Sequence, residues 1–203
     1  MGMMFADLRE EIDQAERLYR VWGKRIRGHD RFSQLMDRYR NAINETGRTM
    51  ERLGVVAECT ACAQEGLGSC CFKGVEGWYD RTLLSINLLM ECEIPRQRQV
   101  PGHCLFVGER GCKLTARHAF CINYLCPRLK TRLGRSKIAE FLAVAGHELN
   151  CGWELEMALS TDGFSPEGIR PTWALPWSVG ACPPTLFGLR LRGSWAGWKK
   201  TRK

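Results

Sequence analysis

The chain has 203 residues, of which 44% are hydrophobic, a composition typical of a globular protein and unlike that of a disordered one. Its formal net charge is +8, but residues 55–189 carry 13 basic and 13 acidic side chains, whereas residues 190–203 carry six basic and no acidic ones. Because the excess charge sits mainly in a short terminal segment, it gives little support to a nucleic-acid-binding class.

The first residues and the apolar runs of the chain bear on localisation. The first ten residues lack the basic and apolar regions of a secretory signal, and an acidic residue occurs at position 7. No uninterrupted apolar run approaches the roughly 20 residues that a membrane-spanning helix needs. We therefore expect a cytoplasmic protein without a transmembrane segment.

Two stretches of helical periodicity occupy the N-terminal quarter. Apolar residues recur every three or four positions over residues 5–26 and again over residues 32–53, which indicates two helices with one apolar stripe each. Gly28 and the residues after it separate the two stretches, and Asp30 is the expected N-cap of the second helix. We predict that residues 1–54 form a helical hairpin, which packs on the core or docks a protein partner or a second copy.

The rest of the chain is less regular. Residues 55–81 are rich in Cys and Gly and indicate irregular loops, followed by a short helix over residues 82–90. A short strand is expected at residues 104–107. A covering helix is predicted from residue 136 to about residue 159, with Ser136 as its cap.

Three regions follow from these patterns. The helical hairpin covers residues 1–54, a cysteine-cluster metal-binding domain with its covering helix covers residues 55–160, and a Pro-rich segment with a basic tail covers residues 161–203. The predicted fold class is mainly α with a loop-rich, irregular, metal-bound core, and a small α+β fold is the alternative. The tail combines cations with Trp195 and Trp198, a combination that can contact nucleic acid or a membrane surface, although a solvated end is the simpler interpretation.

The chain contains eleven cysteines, which is many for an intracellular protein of this length. Thiols in a reducing compartment stay reduced unless metal binding or catalysis uses them. A disulfide scaffold is disfavoured by the odd number of cysteines and by the adjacent pair Cys70 and Cys71. Metal ligation therefore explains the cysteines better than disulfide bonding does.

The candidate ligands fall into two blocks of sequence. In the first block, Cys59 and Cys62 form a Cys-x-x-Cys pair, whose intervening turn lets two sulfurs reach one metal ion. Cys70 and Cys71 point apart if the chain is extended there, which would send each to a different centre. Two four-cysteine sites, one site with spare cysteines and a polynuclear cluster all remain open. The predicted metal ligands are Cys59, Cys62, Cys70, Cys71, Cys104, Cys112, Cys121 and Cys126.

The ligand type leaves the identity of the metal open. Four-thiolate sites suit Zn(II) and iron–sulfur clusters alike, so we expect zinc or iron, with a [4Fe-4S] cluster as one form. His103 and His118 border the ligand cysteines and could replace a thiolate, although structural surface histidines are commoner. Cys92, Cys151 and Cys182 lie outside the pattern and are interpreted as structural thiols.

The ordered series of cysteines resembles a known family, the YkgJ-type "CxxCxxCC" family. The motifs that carry the resemblance are, in order, Cys-x-x-Cys, Gly-Ser-Cys-Cys, Cys-Leu-Phe, Gly-Cys-Lys-Leu, Ala-Arg and Cys-x-x-x-x-Cys. Members of the family are described as zinc- or iron-chelating proteins and include flagellin lysine N-methylases. The resemblance spans residues 59–126, about a third of the chain. It implies the same eight ligand cysteines, and it matches Arg117 to an arginine of the family pattern.

Three functions are compatible with these features. The first is a metal-binding cysteine-cluster protein in which zinc or an iron–sulfur centre has a structural or redox role. The second is a metal-dependent enzyme, such as a protein lysine N-methyltransferase, as the family resemblance implies. No catalytic or organic-cofactor residue is assigned, since the sequence lacks the common phosphate-loop, nucleophile-elbow and metalloprotease motifs. The third is an adaptor whose N-terminal helices dock a partner while metal braces the fold.

Overall fold

Helices account for most of the described structure. The computed structural model describes residues 7–64, 70–108 and 111–161, with only the backbone of residues 63, 64 and 161. Its elements are α1 (Leu8–Arg27), α2 (Asp30–Arg52), α3 (Val55–Gln64), a 3-10 turn (Val75–Trp78), α4 (Arg81–Leu89), β1 (Val107–Gly108), β2 (Gly111–Cys112), α5 (Ala119–Asn123) and α6 (Pro127–Thr161). The prediction of a mainly α-helical fold is confirmed. Apart from the backbone of residue 161, the predicted C-terminal region lies outside the described residues.

The first two helices begin at residues whose local interactions differ. The Asp7 side chain accepts a hydrogen bond from the backbone N–H of Arg9 at 3.0 Å and caps α1. The N-cap of α2 is His29, and Asp30 is already the first helical residue. The prediction of Asp30 as the N-cap is therefore wrong by one position. Its carboxylate instead lies in the first turn, where it interacts favourably with the positive end of the helix dipole.

The apolar stripes of α1 and α2 are buried within the chain itself. Helix α1 lies against α4 and helix α2 against α6, and these contacts are more extensive than those between α1 and α2. Ile12 and Ala15 of α1 and Phe32 and Tyr39 of α2 are all buried. The predicted hairpin therefore packs on the rest of the protein along these stripes.

Buried apolar residues form two clusters. The main core lies among α1, α2, α4, the end of α6 and the segment before β1, and its largest fully buried members include Phe32, Leu84, Ile86, Phe106 and Leu155. The second core lies among the end of α2, the start of α3, α5 and the first part of α6. It consists of Leu53, Val55, Ile122, Leu125, Leu129, Leu133, Phe141 and Ala145.

Gly134 interrupts the long helix α6, where φ is 72° and ψ is 170°. Glycine adopts a positive φ at little cost, so the chain can break here and resume as a helix. The predicted start at Ser136 lies two residues after this break, while the structure extends the element back to Pro127. A proline suits the first helical position because its missing N–H would have no helical partner there. No described helix, α6 included, is long and apolar enough to cross a membrane.

The segment that carries the first cysteine pair differs from the prediction. Residues 55–64 are helical, which corrects the expected loop over residues 55–81. Gly54 has φ 82°, the left-handed conformation that commonly follows a helix, and α3 begins at the next residue. The strand expected at residues 104–107 begins only at Val107, as the two-residue strand β1, in which Val107 pairs with Cys112.

Candidate metal centre

The predicted ligand cysteines are carried by several different elements. Cys59 and Cys62 lie on α3, Cys70 and Cys71 precede the 3-10 turn, Cys104 precedes β1, Cys112 ends β2, Cys121 lies on α5 and Cys126 immediately precedes α6. None of these eight described cysteines is in a disulfide bond. Cys59 and Cys62 are three positions apart, so in the helix α3 their side chains lie on the same face. They therefore reach a common side without the turn that the sequence suggested.

Cys59 lies beside the second core and near three other candidate ligands. Burial raises the pKa of the Cys59 thiol, and the neighbouring thiols of Cys126, Cys71 and Cys62 raise it further. Cys126 packs against the same core. The two ends of the cysteine series, 67 positions apart, are therefore brought together by tertiary packing.

Ion pairs hold α3 next to the start of α6. The Glu58 carboxylate lies 2.9 Å from Arg132 Nε and 3.5 Å from Arg128 Nε. Glu58 directly precedes Cys59, and Arg128 follows Cys126 by two residues. Arg128 and Arg132 therefore link the two cysteine-bearing segments through Glu58.

Cys126 also caps helix α6. Its sulfur accepts a hydrogen bond from the backbone N–H of Leu129 at 3.5 Å. This bond fixes the Cys126 sulfur at the N-terminal end of α6.

Cys70 and Cys71 are less separated than an extended chain would make them. Their side chains share a hydrogen bond, which raises the pKa of Cys70, and burial and the nearby thiols of Cys59 and Cys126 act in the same direction. Cys71 packs against the main core, whereas Cys70 is exposed. The two side chains therefore touch each other while they have different surroundings.

Backbone hydrogen bonds bring Cys71, Cys104 and Cys112 together. The N–H of Cys104 donates to the carbonyl oxygen of Cys71 at 2.8 Å, next to an isolated bridge between Phe72 and His103. Cys112 is carried back toward Cys104 by its pairing with Val107 across the two-stranded hairpin. These contacts fix three cysteines from distant parts of the sequence in one neighbourhood.

The thiols of this neighbourhood are also electrostatically linked. Burial raises the pKa of Cys104 to about 12, and the thiols of Cys112 and Cys121 contribute to the rise. The pKa of Cys112 is raised to about 11, mainly by the protein atoms that surround its sulfur, although part of the residue is open to solvent, and Cys121 and Cys71 contribute. Opposing these effects, the backbone N–H groups of Phe106 and Leu114 donate to the Cys104 and Cys112 sulfurs respectively.

Tyr79 orients the fourth cysteine of this neighbourhood. Its buried hydroxyl accepts a hydrogen bond from the backbone N–H of His118 at 3.0 Å and donates to Cys121 Sγ at 3.8 Å. His118 in turn caps α5, with Nδ1 accepting from the N–H of Phe120 at 3.2 Å. One ring nitrogen of His118, the alternative ligand, is therefore engaged by the backbone. Burial lowers the pKa of this histidine. His103 Nδ1 similarly lies 3.1 Å from the carbonyl oxygen of Pro101.

Arg117 and Glu148 form a charged pair that the sequence did not predict. Arg117 Nη2 lies 3.9 Å from Glu148 Oε1, and the Glu148 side chain is completely buried. Burial raises the pKa of Glu148, while the charge of Arg117 lowers it. The same guanidinium lowers the pKa of Cys112 and Cys121 against the larger effect of burial. Arg117 thus places a positive charge between two thiols and a buried carboxylate.

The other described cysteines have different neighbours. Cys92 Sγ donates to the carbonyl oxygen of Lys113 at 3.3 Å. Cys151 is buried on α6, with its sulfur 3.8 Å from Nε2 of His147. Neither thiol is among the groups that shift the pKa of Cys59, Cys70, Cys104, Cys112 or Cys121. Both have the surroundings expected of structural thiols, and Cys182 lies outside the described residues.

The donor set suits a thiophilic metal, although the side chains would have to move to bind one. Among the described residues, no three His, Cys, Asp or Glu side chains converge closely enough to hold a metal ion in the arrangement observed. Burial and neighbouring thiols raise the pKa of five candidate ligands, so a cation would be needed to stabilise their thiolates. Zinc and iron both supply that charge to sulfur ligands.

Comparison of the chain with protein-family models, with curated proteins and with solved structures finds no match. The resemblance to the "CxxCxxCC" family therefore stays a prediction, carried by the cysteine series itself.

Proposed function

We propose that this protein binds zinc or iron through the eight-cysteine cluster, and that the bound metal has a structural or redox role. One observation supports the proposal most strongly. The pKa values of Cys59, Cys70, Cys104, Cys112 and Cys121 are raised by burial and by other thiols of the predicted set, and these effects together involve all eight of its members. Cys92 and Cys151 are not among the groups that raise these five pKa values. A cytoplasmic location would keep these thiols reduced and available as ligands.

The chain's own groups prepare the cysteines for this role. Backbone N–H groups donate to the sulfurs of Cys104 and Cys112, and such bonds stabilise the thiolate form. The Tyr79 hydroxyl acts on Cys121 in the same way. The N–H of Leu129 donates to the Cys126 sulfur and fixes its position. Hydrogen bonds of this kind orient metal ligands and tune their basicity. A bound metal would supply the positive charge that lets the buried thiols lose their protons.

The test is the metal and acid-labile sulfide content of anaerobically purified full-length protein, with a visible spectrum of the same sample. Stoichiometric zinc in a colourless sample would indicate a structural role, whereas iron with sulfide and a brown colour would indicate a redox role. Protein that contains neither metal, and takes up neither on anaerobic reconstitution, would contradict the proposal.

Matched serine variants locate the metal. Cys112→Ser and Cys121→Ser are expected to lower the metal content, because each removes a predicted ligand. Cys92→Ser and Cys151→Ser are the controls, since they remove thiols outside the predicted set, and they should retain the content of the unmodified protein. Equal loss of metal in both pairs would mean that the cysteines act through folding and not through ligation.

A further inference from the structure

The eight cysteines divide according to the core against which they pack. Cys59 and Cys126 pack against the second core. Cys71, Cys104 and Cys121 belong to the main core or pack against it. The sequence leaves the grouping of the ligands open, and the packing supplies a basis for choosing one.

Cys62 and Cys70 are grouped with the cysteines of the second core. Cys62 lies three positions after Cys59 on α3, so the two side chains share a face of that helix. Cys71 packs against the main core, whereas Cys70 is exposed. In a division of the eight ligands into two sets of four, Cys70 is therefore the fourth cysteine of the second-core group. The ion pairs of Glu58 keep α3 beside the start of α6 and so hold this group together.

Cys112 is grouped with the cysteines of the main core. It pairs with Val107 across the hairpin, and the N–H of Val107 donates to the carbonyl oxygen of Cys104 at 3.1 Å. Cys71 is joined to Cys104 by a backbone hydrogen bond of 2.8 Å. The adjacent residues Cys70 and Cys71 thus fall into different groups, at the point where the groups meet.

We propose that the cluster is two separate four-thiolate centres, one formed by Cys59, Cys62, Cys70 and Cys126 and the other by Cys71, Cys104, Cys112 and Cys121. This allocation rests on the proposed metal-binding function and specifies how its ligands are shared. Each centre has its own scaffold, since the first joins α3 to the start of α6 and the second joins the hairpin to α5. Loss of a ligand from one centre should therefore leave the other centre loaded.

The experiment is ¹¹³Cd NMR of the full-length protein reconstituted with cadmium, which substitutes for zinc at thiolate sites, together with the bound cadmium per chain. Two cadmium ions per chain are expected, with two resonances in the region of four-thiolate coordination and no cadmium–cadmium coupling. This measurement needs no substitution, so it does not depend on whether a variant folds.

Serine variants then assign each resonance. Cys126→Ser should remove or shift one resonance, and Cys104→Ser should remove or shift the other. The double variant Cys59→Ser with Cys126→Ser should change only the resonance that Cys126→Ser changes alone. Cys151→Ser is the matched control and should leave both resonances unchanged.

The outcomes separate this inference from the function on which it rests. A single bound ion, coupling between two ions through a shared sulfur, or the same resonance lost in Cys126→Ser and Cys104→Ser would overturn the two-centre allocation while metal binding stands. If the protein binds no cadmium, zinc or iron, the proposed function itself fails.

Discussion

Two regions of the molecule differ in the interactions that stabilise them. The helical frame consists of α1, α2, α4 and the part of α6 after Gly134. The cysteine region consists of residues 70–126 without α4. In the frame, long apolar stripes face one another, and Phe32, Leu84 and Leu155 are fully buried. The described part of the cysteine region has two strands of two residues each, one isolated bridge and a helix of five residues. Short elements like these gain little from local hydrogen bonding, so they depend on contacts outside themselves.

This difference suggests two sources of stability. Full burial of a large apolar side chain contributes about 1.5–3 kcal/mol, and the frame has many such residues. The cysteine region contributes Phe106 to the main core, but its short elements also need polar contacts and the proposed metal to stay folded. We therefore expect a frame that stays folded without metal and a cysteine region that does not.

The largest effect of a single substitution is expected in the frame. Phe32→Ala should lower the free energy of unfolding by about 3–5 kcal/mol, because it leaves a cavity where a fully buried ring packed. Urea denaturation would measure the loss, with the protein in zinc and then in a chelator. The loss should be the same in both, since the ring lies in the part of the protein that folds without metal.

The matched control is Val21→Ala on the exposed face of α1, where 68% of the residue is open to solvent. Its effect should stay within about 0.5 kcal/mol. If Phe32→Ala costs much less in chelator than in zinc, the frame is not independent of the cysteine region, and the comparison between them breaks down.

The sequence predicted the frame better than the cysteine region, for a physical reason. Apolar periodicity indicated α1, α2 and the long part of α6, and a short apolar run indicated α4, because these apolar residues must be buried. Helix α3 has no apolar stripe, being rich in Cys and small residues. Its contacts include the ion pairs of Glu58 with Arg128 and Arg132, and these two arginines lie about 70 positions after Glu58 in the chain. A contact of that range leaves no local pattern in the sequence.

A second, smaller effect is expected at the junction of the two regions. Asn87 of α4 is completely buried, and its side chain accepts from the N–H of Ala116 and donates to the carbonyl oxygen of Ala116, both at 2.9 Å. Asn87→Ala leaves both backbone groups buried without this partner, which should cost about 2–3 kcal/mol. Urea denaturation measures this cost.

Asn87→Ala also sharpens the comparison through metal binding. Ala116 lies between Cys112 and Cys121, so a loosened backbone there should weaken cadmium binding by the centre that contains them more than by the other. The control is Asn150→Ala, which removes an exposed amide bonded to Glu154 at 2.9 Å. Equal weakening at both centres, or a cost no larger than that of the control, would remove Asn87 as the link between the regions.

The candidate site was predicted in its members but not in its arrangement. Ordered cysteine spacing identified the eight thiols, because ligand residues are restricted to few chemical types. Their grouping depends on tertiary packing, as does the pairing of Arg117 with Glu148, which lie 31 positions apart. A glutamate one residue after His147 gave no sign in the sequence that it would be completely buried.

The smallest of these effects concerns a partly buried carboxyl group within the frame. Glu156 of α6 is partly buried, and burial raises its pKa from 4.5 to about 7, with the charge of Asp80 at the start of α4 adding to the rise. Its charge also acts on the buried hydroxyl of Tyr39 in α2. Because the folded state holds this proton more tightly than the unfolded chain does, the native protein binds more protons between the two pKa values.

The folded state should therefore lose stability as pH rises from about 4.5 through about 7, and Glu156→Gln should remove that part of the pH dependence. The full shift corresponds to about 3 kcal/mol, and solvent access to this side chain reduces the expected gain at pH 8 to about 1–2 kcal/mol. Below pH 4.5 the variant and the unmodified protein should be equally stable, since both carry a neutral side chain. Glu45→Gln, which removes the same charge from an exposed position on α2, is the control for net charge. Urea denaturation at pH 4, 6 and 8 measures all three proteins. A gain that is the same at every pH, or that Glu45→Gln reproduces, would mean that Glu156 is as well solvated in the folded state as in the unfolded chain.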